Sequence, residues 1–364
     1  MSRGFFLGFF LGFLGAFMST TGSAQSLPPT QLASPPTAAT AFPQESKLEP
    51  LVPEGILQIP EASGFYSPYA FVVDKHSRTL SVWQQTLSGL KKIANFPADM
   101  GASSGEKSKR NDRKTPEGVY YLLERREGPT LDYNLYGQRA FTTDYPNFFD
   151  RSEGKTGDGI WLHAVPDHVA LTRGSRGCVV VRNDVIADIS KYVKLGRTPL
   201  LIQEHTDLHP AKDVKARTEH VTQWLDGWRM SWENKNIESY ISNYAADFKS
   251  MHMNRNQWQR YKDRLNHQYK TITVRISRPT IFFDRNRAVI RFLQEYTSDV
   301  KSDIGEKVLY VQKAGDGFQI LGETWAEESS ELARQEIEAS KQLTSVTCTV
   351  SDGTDCVHNP TAPQ

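Results

Sequence analysis

The residue best suited to covalent chemistry in the middle of the chain is Cys178. It follows Gly174-Ser-Arg-Gly177 and begins the apolar run Cys178-Val-Val-Val181. Glycine on both sides of Ser-Arg permits a tight turn that presents its backbone N–H groups. These amides and the cation of Arg176 are expected to lower the pKa of the thiol and to favour the nucleophilic thiolate. The same amides can hold the oxyanion that forms when a nucleophile attacks an acyl carbon.

A thiol nucleophile usually needs an imidazole as base and proton carrier, and two histidines lie upstream of Cys178. His163 is 15 residues before it, at the end of the strand candidate Ile160-Trp-Leu-His163. His168 is ten residues before it and follows Pro166-Asp167, which places it on a turn. The strand position favours His163. The alternative is that Cys178 is only a small core residue, the commoner role of a lone cysteine.

Two other chemistries are disfavoured by the spacing of their residues. A cysteine phosphatase loop needs five residues between Cys and Arg, whereas Arg182 is only four positions after Cys178. Zinc binding has weak support, because no CxxC or HExxH motif occurs and His205-x-x-x-His209 falls in a predicted interdomain linker. The sequence predicts no metal and no cofactor.

The composition sets the class of protein. The 364 residues carry 43 Lys+Arg and 42 Asp+Glu, a formal charge of +1, which argues against a nucleic-acid partner. A mean hydropathy of −0.52 excludes a multi-span membrane protein. The length predicts about two domains.

The first 61 residues are predicted to be an export signal followed by a linker. Residues 1–24 are typical of a signal peptide, with Arg3 before the uncharged apolar stretch 4–17 and small residues up to Ala24. An uncleaved anchor is the alternative. Export predicts a periplasmic protein. Residues 25–61 are rich in proline and are expected to form an extended linker.

The remaining chain divides into two predicted domains and a tail. Residues 62–206 contain many short β-rich runs and predict a β-rich catalytic domain. After a linker at 207–215, residues 216–327 predict helices followed by an antiparallel sheet, an α+β domain whose helical stripe of aromatic residues extends to Phe248. Residues 328–364 are expected to be helical and then flexible. Whether Cys348 and Cys356 pair there is open.

The segment around Cys178 resembles the L,D-transpeptidase (YkuD-type) catalytic domain. That family carries a His, a variable stretch and then Ser-His-Gly-Cys, matched here by His163 and Ser175-Arg-Gly-Cys178. The resemblance covers residues 67–203. Further similar segments are Arg113-Lys-Thr-Pro-Glu-Gly-Val-Tyr120, Gly137-Gln-Arg-Ala-Phe141, Asp144-Tyr-Pro-Asn147 and Gly157-Asp-Gly-Ile-Trp-Leu-His163.

The motif departs from the common pattern at two positions. Arg176 stands in place of the usual His, and Val180 stands where an Arg is usual. Ser-Arg-Gly-Cys is similar to a subgroup that hydrolyses, which includes L,D-carboxypeptidases that set helical cell shape. Members of that group also carry a C-terminal domain, and residues 216–326 resemble the SnoaL-like, nuclear-transport-factor-type cone.

The resemblance implies a periplasmic enzyme that acts on the L,D bond of peptidoglycan stem tetrapeptides. It is an L,D-carboxypeptidase if water resolves the thioacyl-enzyme and an L,D-transpeptidase if an amine does. The rival hypothesis is an inactive peptidoglycan-binding or scaffolding module. The aromatic stripe of the cone is expected to be core, and binding of a glycan or peptide ligand or formation of a homodimer is the alternative for this domain. The implied roles are nucleophile for Cys178, proton carrier for His163, oxyanion amides for Gly177 and Cys178, ring support by the Ala164 carbonyl, and substrate binding for Arg176 and Ser175.

Overall fold

The structure is a computed structural model that describes residues 49–61, 64–172 and 174–344. The predicted signal peptide at 1–24, most of the predicted linker, Cys348 and Cys356 lie outside these residues. None of the helices in residues 49–61, 64–172 and 174–344 combines the length and the apolar character that a membrane span requires.

The described chain begins with two short strands, β1 (Leu51–Pro53) and β2 (Ile56–Gln58). A mostly antiparallel sheet of eight strands follows, and we call residues 69–203 the β domain. Its strand order is β5-β4-β3-β10-β6-β7-β8-β9. The elements are β3 (Tyr69–Asp74), β4 (Thr79–Thr86), β5 (Gly89–Pro97), β6 (Gly118–Glu127), α1 (Tyr133–Tyr136), β7 (Arg139–Thr143), α2 (Phe148–Ser152), β8 (Trp161–Val165), β9 (Val179–Arg182), α3 (Asn183–Ile189) and β10 (Pro199–Gln203).

The second half of the chain forms a curved sheet with helices against it, and we call residues 211–327 the cone domain. The short strand β11 (Leu208–Pro210) leads into it and pairs with β1. Its main sheet has the order β13-β12-β18-β17-β16-β15-β2, with β14 also on β16. The elements are α4 (Ala211–Glu233), α5 (Ile237–Ser242), β12 (Tyr244–Ser250), β13 (Met253–Asn254), α6 (Arg255–Gln268), β14 (Ile272–Ile276), β15 (Thr280–Asp284), β16 (Arg287–Ser298), β17 (Ser302–Ala314) and β18 (Gly317–Glu327), and α7 (Glu331–Thr344) follows the domain.

The predicted fold class, a β-rich domain followed by an α+β cone, is confirmed. Tight hairpin turns connect β15 to β16 and β17 to β18, because Asp284 pairs with Arg287 and Ala314 with Gly317. The prediction of helix up to Phe248 was wrong, since β12 occupies residues 244–250 and pairs with β18. Tyr244 and Phe248 are four residues apart, a spacing that puts two side chains on one face of a helix or of a strand.

The two domains share one hydrophobic core. Trp83, Val119 and Tyr121 of the β domain are buried in the same cluster as Trp228 and Phe292 of the cone domain. Charged contacts also cross the boundary, since the Arg291 guanidinium lies 4.0 Å from the Tyr121 ring centroid. This continuity fixes the two domains against each other through buried side chains.

The N-terminal linker and the interdomain linker differ from their predicted extents. Residues 51–58, inside the predicted linker 25–61, form β1 and β2, and β2 pairs with β15 of the cone domain. The helix α4 begins at Ala211, inside the predicted linker 207–215. The high proline content of residues 25–61 predicted an extended linker. The structure differs because burial of apolar side chains stabilises β2 and the start of α4. The buried residues in these stretches are Val52, Ile56, Leu57, Ile59 and Val214.

Truncating Leu57 should destabilise the whole protein although it lies in the N-terminal stretch. Leu57 is 8% exposed and Leu51 is 53% exposed. We expect Leu57→Ala to lower the free energy of unfolding by about 2–5 kcal/mol, because it removes buried methyl groups and leaves a cavity. Leu51→Ala is the matched control and should change it by less than about 0.5 kcal/mol. Denaturant unfolding measures both, and equal effects would contradict the burial of β2.

Candidate active site

Two adjacent strands point alternate side chains into one cleft. Strands β8 and β9 run parallel, with His163 opposite Val180. Because strand side chains alternate between faces, Trp161, His163 and Val165 share a face of β8, and Val180 shares a face with Cys178 just before β9. All of these residues line the cleft. The intervening side chains pack in the core of the β domain, namely Leu162, Ala164, Val179 and Val181.

The cleft has a volume of about 580 Å³, enough for a peptide-sized ligand. Its walls come from α1, from β8 and β9, from the loops that precede and follow these strands, and from the long loop between β5 and β6. The residues with charged or titratable side chains on its walls are Asp99, Lys107, Arg110, Tyr136, Asp158, His163, Arg176 and Cys178.

The His163 ring is held in one tautomer. Its Nδ1 lies 2.6 Å from the Ala164 carbonyl oxygen. A carbonyl can only accept, so Nδ1 carries the hydrogen and Nε2 is the basic nitrogen. The Tyr136 ring packs edge-on against the imidazole, with 5.1 Å between centroids. Burial lowers the pKa of His163 to about 4, so the ring is neutral at pH 7.

The thiol of Cys178 is a protonated donor rather than a preformed thiolate. The residue is 9% exposed, and its Sγ lies 3.5 Å from the Gly159 carbonyl oxygen. Burial raises the pKa of Cys178 to about 11, while the Trp161 backbone N–H and the Lys107 ammonium act in the opposite direction. The expected lowering of this pKa was therefore wrong for the free protein, because the sulfur is desolvated and the nearby cation is Lys107.

The turn before Cys178 is closed by its own hydrogen bonds. Gly177 has φ +128°, and a Cβ there would lie 2.6 Å from the Lys114 carbonyl oxygen, so only glycine fits. The Ser175 hydroxyl accepts from the Gly177 N–H at 3.1 Å and donates to the Cys178 carbonyl at 2.8 Å. Ser175 thus closes the turn, where the sequence predicted a substrate contact. The Gly177 amide, predicted as an oxyanion donor, is engaged by Ser175.

The structure separates the two candidate bases and places Arg176. His163 lines the cleft with Cys178, whereas His168 is exposed and is not among the residues lining it. Arg176 is exposed at the cleft rim. The predicted pairing of Cys178 with His163 thus has both side chains in one cleft.

Sequence reasoning missed Lys107 and Tyr136, which both line the cleft. Lys107 lies on the long loop between β5 and β6, far from Cys178 in sequence. The loop reaches the site because Asp99 and Val180 exchange backbone hydrogen bonds at 2.7 and 2.8 Å. No spacing rule predicts such a contact. For Tyr136, proximity to the predicted Gly137–Phe141 family segment was the available signal.

Two family models match the chain. Residues 68–202 match the L,D-transpeptidase catalytic domain, and residues 220–324 match the Cds6 C-terminal NTF2-like domain. These matches confirm both predicted resemblances, to the catalytic domain and to a nuclear-transport-factor-type cone.

Solved structures show the same two-domain architecture. The chain is 43% identical to Bd1075 from Bdellovibrio bacteriovorus, with 78% of this chain and all of that chain covered and a TM-score of 0.71. It is 25% identical to the helical cell shape determining protein Pgp2 from Campylobacter jejuni, with 74% and 96% covered and a TM-score of 0.59. No protein of curated function matches the sequence.

Proposed function

Because the chain belongs to the family that joins an L,D-transpeptidase catalytic domain to a C-terminal NTF2-like domain, we propose that it is a periplasmic peptidoglycan enzyme with Cys178 as nucleophile. Its substrate is the stem tetrapeptide, and its reaction is cleavage of the L,D bond before the terminal D-Ala. The observation that carries the proposal is the common cleft of Cys178 and His163, with His163 Nε2 left basic by the bond to Ala164.

Acylation starts from a neutral thiol and a neutral imidazole. As Sγ attacks the carbonyl carbon of the third residue, the thiol proton passes to Nε2 of His163. Carbonyl π electrons move to oxygen, and the backbone N–H of Cys178 is the remaining predicted donor for this oxyanion. The C–N bond then breaks, His163 returns the proton to the departing amine, and D-Ala leaves as a neutral amine with a thioester on Cys178.

Deacylation reverses the proton transfers with a second nucleophile. A water molecule gives one proton to His163 Nε2 and attacks the thioester carbonyl carbon. The C–S bond breaks, the sulfur takes the proton back, and a tripeptide carboxylic acid is released. We propose water as the acceptor, because the Ser-Arg-Gly-Cys motif resembles the hydrolysing subgroup. An amine acceptor would give a new amide instead.

Mass spectrometry of defined muropeptides tests the activity. The purified chain is incubated with disaccharide-tetrapeptide, alone and with an acceptor amine. The expected product is disaccharide-tripeptide plus free alanine in both reactions. A product carrying the amine would overturn hydrolysis in favour of transfer. No product in either reaction would favour the inactive scaffolding module.

Arg176 is proposed to bind the terminal carboxylate of the tetrapeptide. A guanidinium can pair with a carboxylate through two parallel hydrogen bonds, and Arg176 is exposed at the cleft rim. We expect Arg176→Ala to raise KM about tenfold with a smaller change in kcat, because charged hydrogen bonds contribute about 1.5–3 kcal/mol. Arg125→Ala is the matched control and should leave KM unchanged, because Arg125 is an exposed arginine of the β domain that does not line the cleft. An unchanged KM for Arg176→Ala would contradict this role.

We also propose that the activity contributes to cell shape. The support is the similarity to Pgp2, which is described as a helical cell shape determining protein. Cells lacking the gene should change curvature, and the wild-type gene but not a Cys178→Ala gene should restore it. Restoration by the Cys178→Ala gene would separate any shape role from catalysis.

A further inference from the structure

The buried ammonium group of Lys107 lies on the cleft wall and has no role in the mechanism proposed above. Lys107 is 2% exposed and lines the same cleft as Cys178 and His163. Lysine is rarely buried, because desolvating its charge is costly unless the charge is compensated. The loop between β5 and β6 must therefore supply groups that compensate the charge of Lys107.

The loop holds the ammonium in a fixed place. Lys107 Nζ donates to an Asp112 carboxylate oxygen at 2.7 Å and to the Lys109 carbonyl at 3.0 Å. Asp112 in turn accepts from the backbone N–H groups of Ser108 and Lys109, each at 2.9 Å. These bonds hold the pKa of Asp112 well below its usual range, so the carboxylate stays ionised.

The same loop is joined to the segment that carries the nucleophile. The Gly101 N–H donates to the Thr115 hydroxyl at 2.8 Å, which closes the loop on itself. The Ala102 N–H donates to the Ser175 carbonyl at 3.0 Å. The position of Lys107 is thus tied, through backbone bonds, to the turn that ends at Cys178.

The other cations of the cleft are arranged differently. Arg110 is exposed and pairs with Asp158 at 2.6 Å. Arg176 is exposed at the rim. Asp99 is the remaining acid on the cleft wall and pairs at 2.7 Å with Arg78. Among the charged side chains of the described cleft wall, Lys107 is therefore the cation held in the interior.

We propose that Lys107 is an electrostatic positioning residue, whose fixed ammonium stabilises the negative charge that develops on the Cys178 sulfur. The inference deepens the proposed function and rests on it for its catalytic meaning. The direction in which Lys107 shifts the thiol pKa agrees with it. A fixed positive charge in a desolvated site interacts with a developing anion more strongly than one in water. Asp112 offsets part of this effect, while the neutral His163 ring adds no charge.

The test is the rate of iodoacetamide alkylation at Cys178 as a function of pH, read by mass spectrometry of the peptide that contains Cys178. We expect Lys107→Met to shift the rate profile upward by about one pH unit, which is about a tenfold slower alkylation at a fixed pH. Lys107→Arg should keep the parent profile. Lys109→Met removes an exposed charge from the same loop and is the matched control.

A second variant protects the test against misfolding of Lys107→Met. Asp112→Asn keeps the ammonium and removes the carboxylate that offsets it, so its profile should shift to lower pH. A Lys107→Met profile that superimposes on the parent, or an Asp112→Asn profile that shifts upward, would overturn the proposal. Alkylation needs no muropeptide, so these shifts can be present even if the protein turns over no tetrapeptide. Failure of the proposed function is therefore a separate result.

Discussion

Replacing Cys178 with alanine should abolish the conversion of tetrapeptide to tripeptide. The thiol forms the covalent bond to the acyl group in the proposed mechanism, and no other cysteine of the described residues can replace it. Loss of a nucleophile that acts together with its base lowers kcat on the order of 10⁶-fold in a comparable protease triad. Product formation by mass spectrometry should therefore fall to the background without enzyme.

Controls separate this loss from a loss of fold. Val180 lies two positions further along and also lines the cleft, so Val180→Ala removes a buried side chain from the same wall. It should retain turnover, and Cys178→Ala should retain the parent unfolding midpoint. If Cys178→Ala converted tetrapeptide at the parent rate, the cysteine mechanism would be wrong.

Replacing His163 with glutamine should lower kcat by about 10²–10⁴-fold, the usual contribution of a positioned acid–base group. Gln keeps a polar side chain on β8 but cannot shuttle a proton between the sulfur and the leaving amine. His168→Gln is the matched control, because His168 is exposed outside the cleft. It should have the activity of the parent.

The pH profile of kcat/KM is a second, independent test of the role of His163. The pKa of His163 is lowered to about 4 and that of Cys178 is raised to about 11, so both groups are neutral between these values. Activity should fall below about pH 4, where a protonated imidazole cannot accept the thiol proton, and should be flat from about pH 5 to 10. The acid limb should be missing in His163→Gln. An acid limb near pH 6.5 would contradict the buried, neutral ring.

The sequence predicted Cys178 and His163 as the candidate pair because each carries a local signal. Gly177 permits the turn that precedes Cys178, and the period of two along the strand places His163 on one face. The ionisation state of the thiol could not be predicted in this way. It depends on the burial of the sulfur by segments distant in sequence, and on Lys107, which reaches the site only through the pairing of Asp99 with Val180.

The fold could be predicted where the local sequence is compatible with only one type of secondary structure. The hairpin turns at 284–287 and 314–317 follow from local residue types, whereas β2 is three residues long and has no periodicity of its own. It forms a strand only because it pairs with the free edge of β15 in the cone sheet. Tertiary contacts of this kind override composition, as the shortened linker shows.

The place of β2 at the edge of the cone sheet has a consequence for biosynthesis. Gln58 donates to the Pro279 carbonyl across 221 residues of chain. A ribosome therefore releases β2 first, then the whole β domain, and only afterwards the strand that pairs with β2. β2 therefore cannot pair with β15 until residues 280–284 have been synthesised, and contacts between residues so far apart in sequence form slowly.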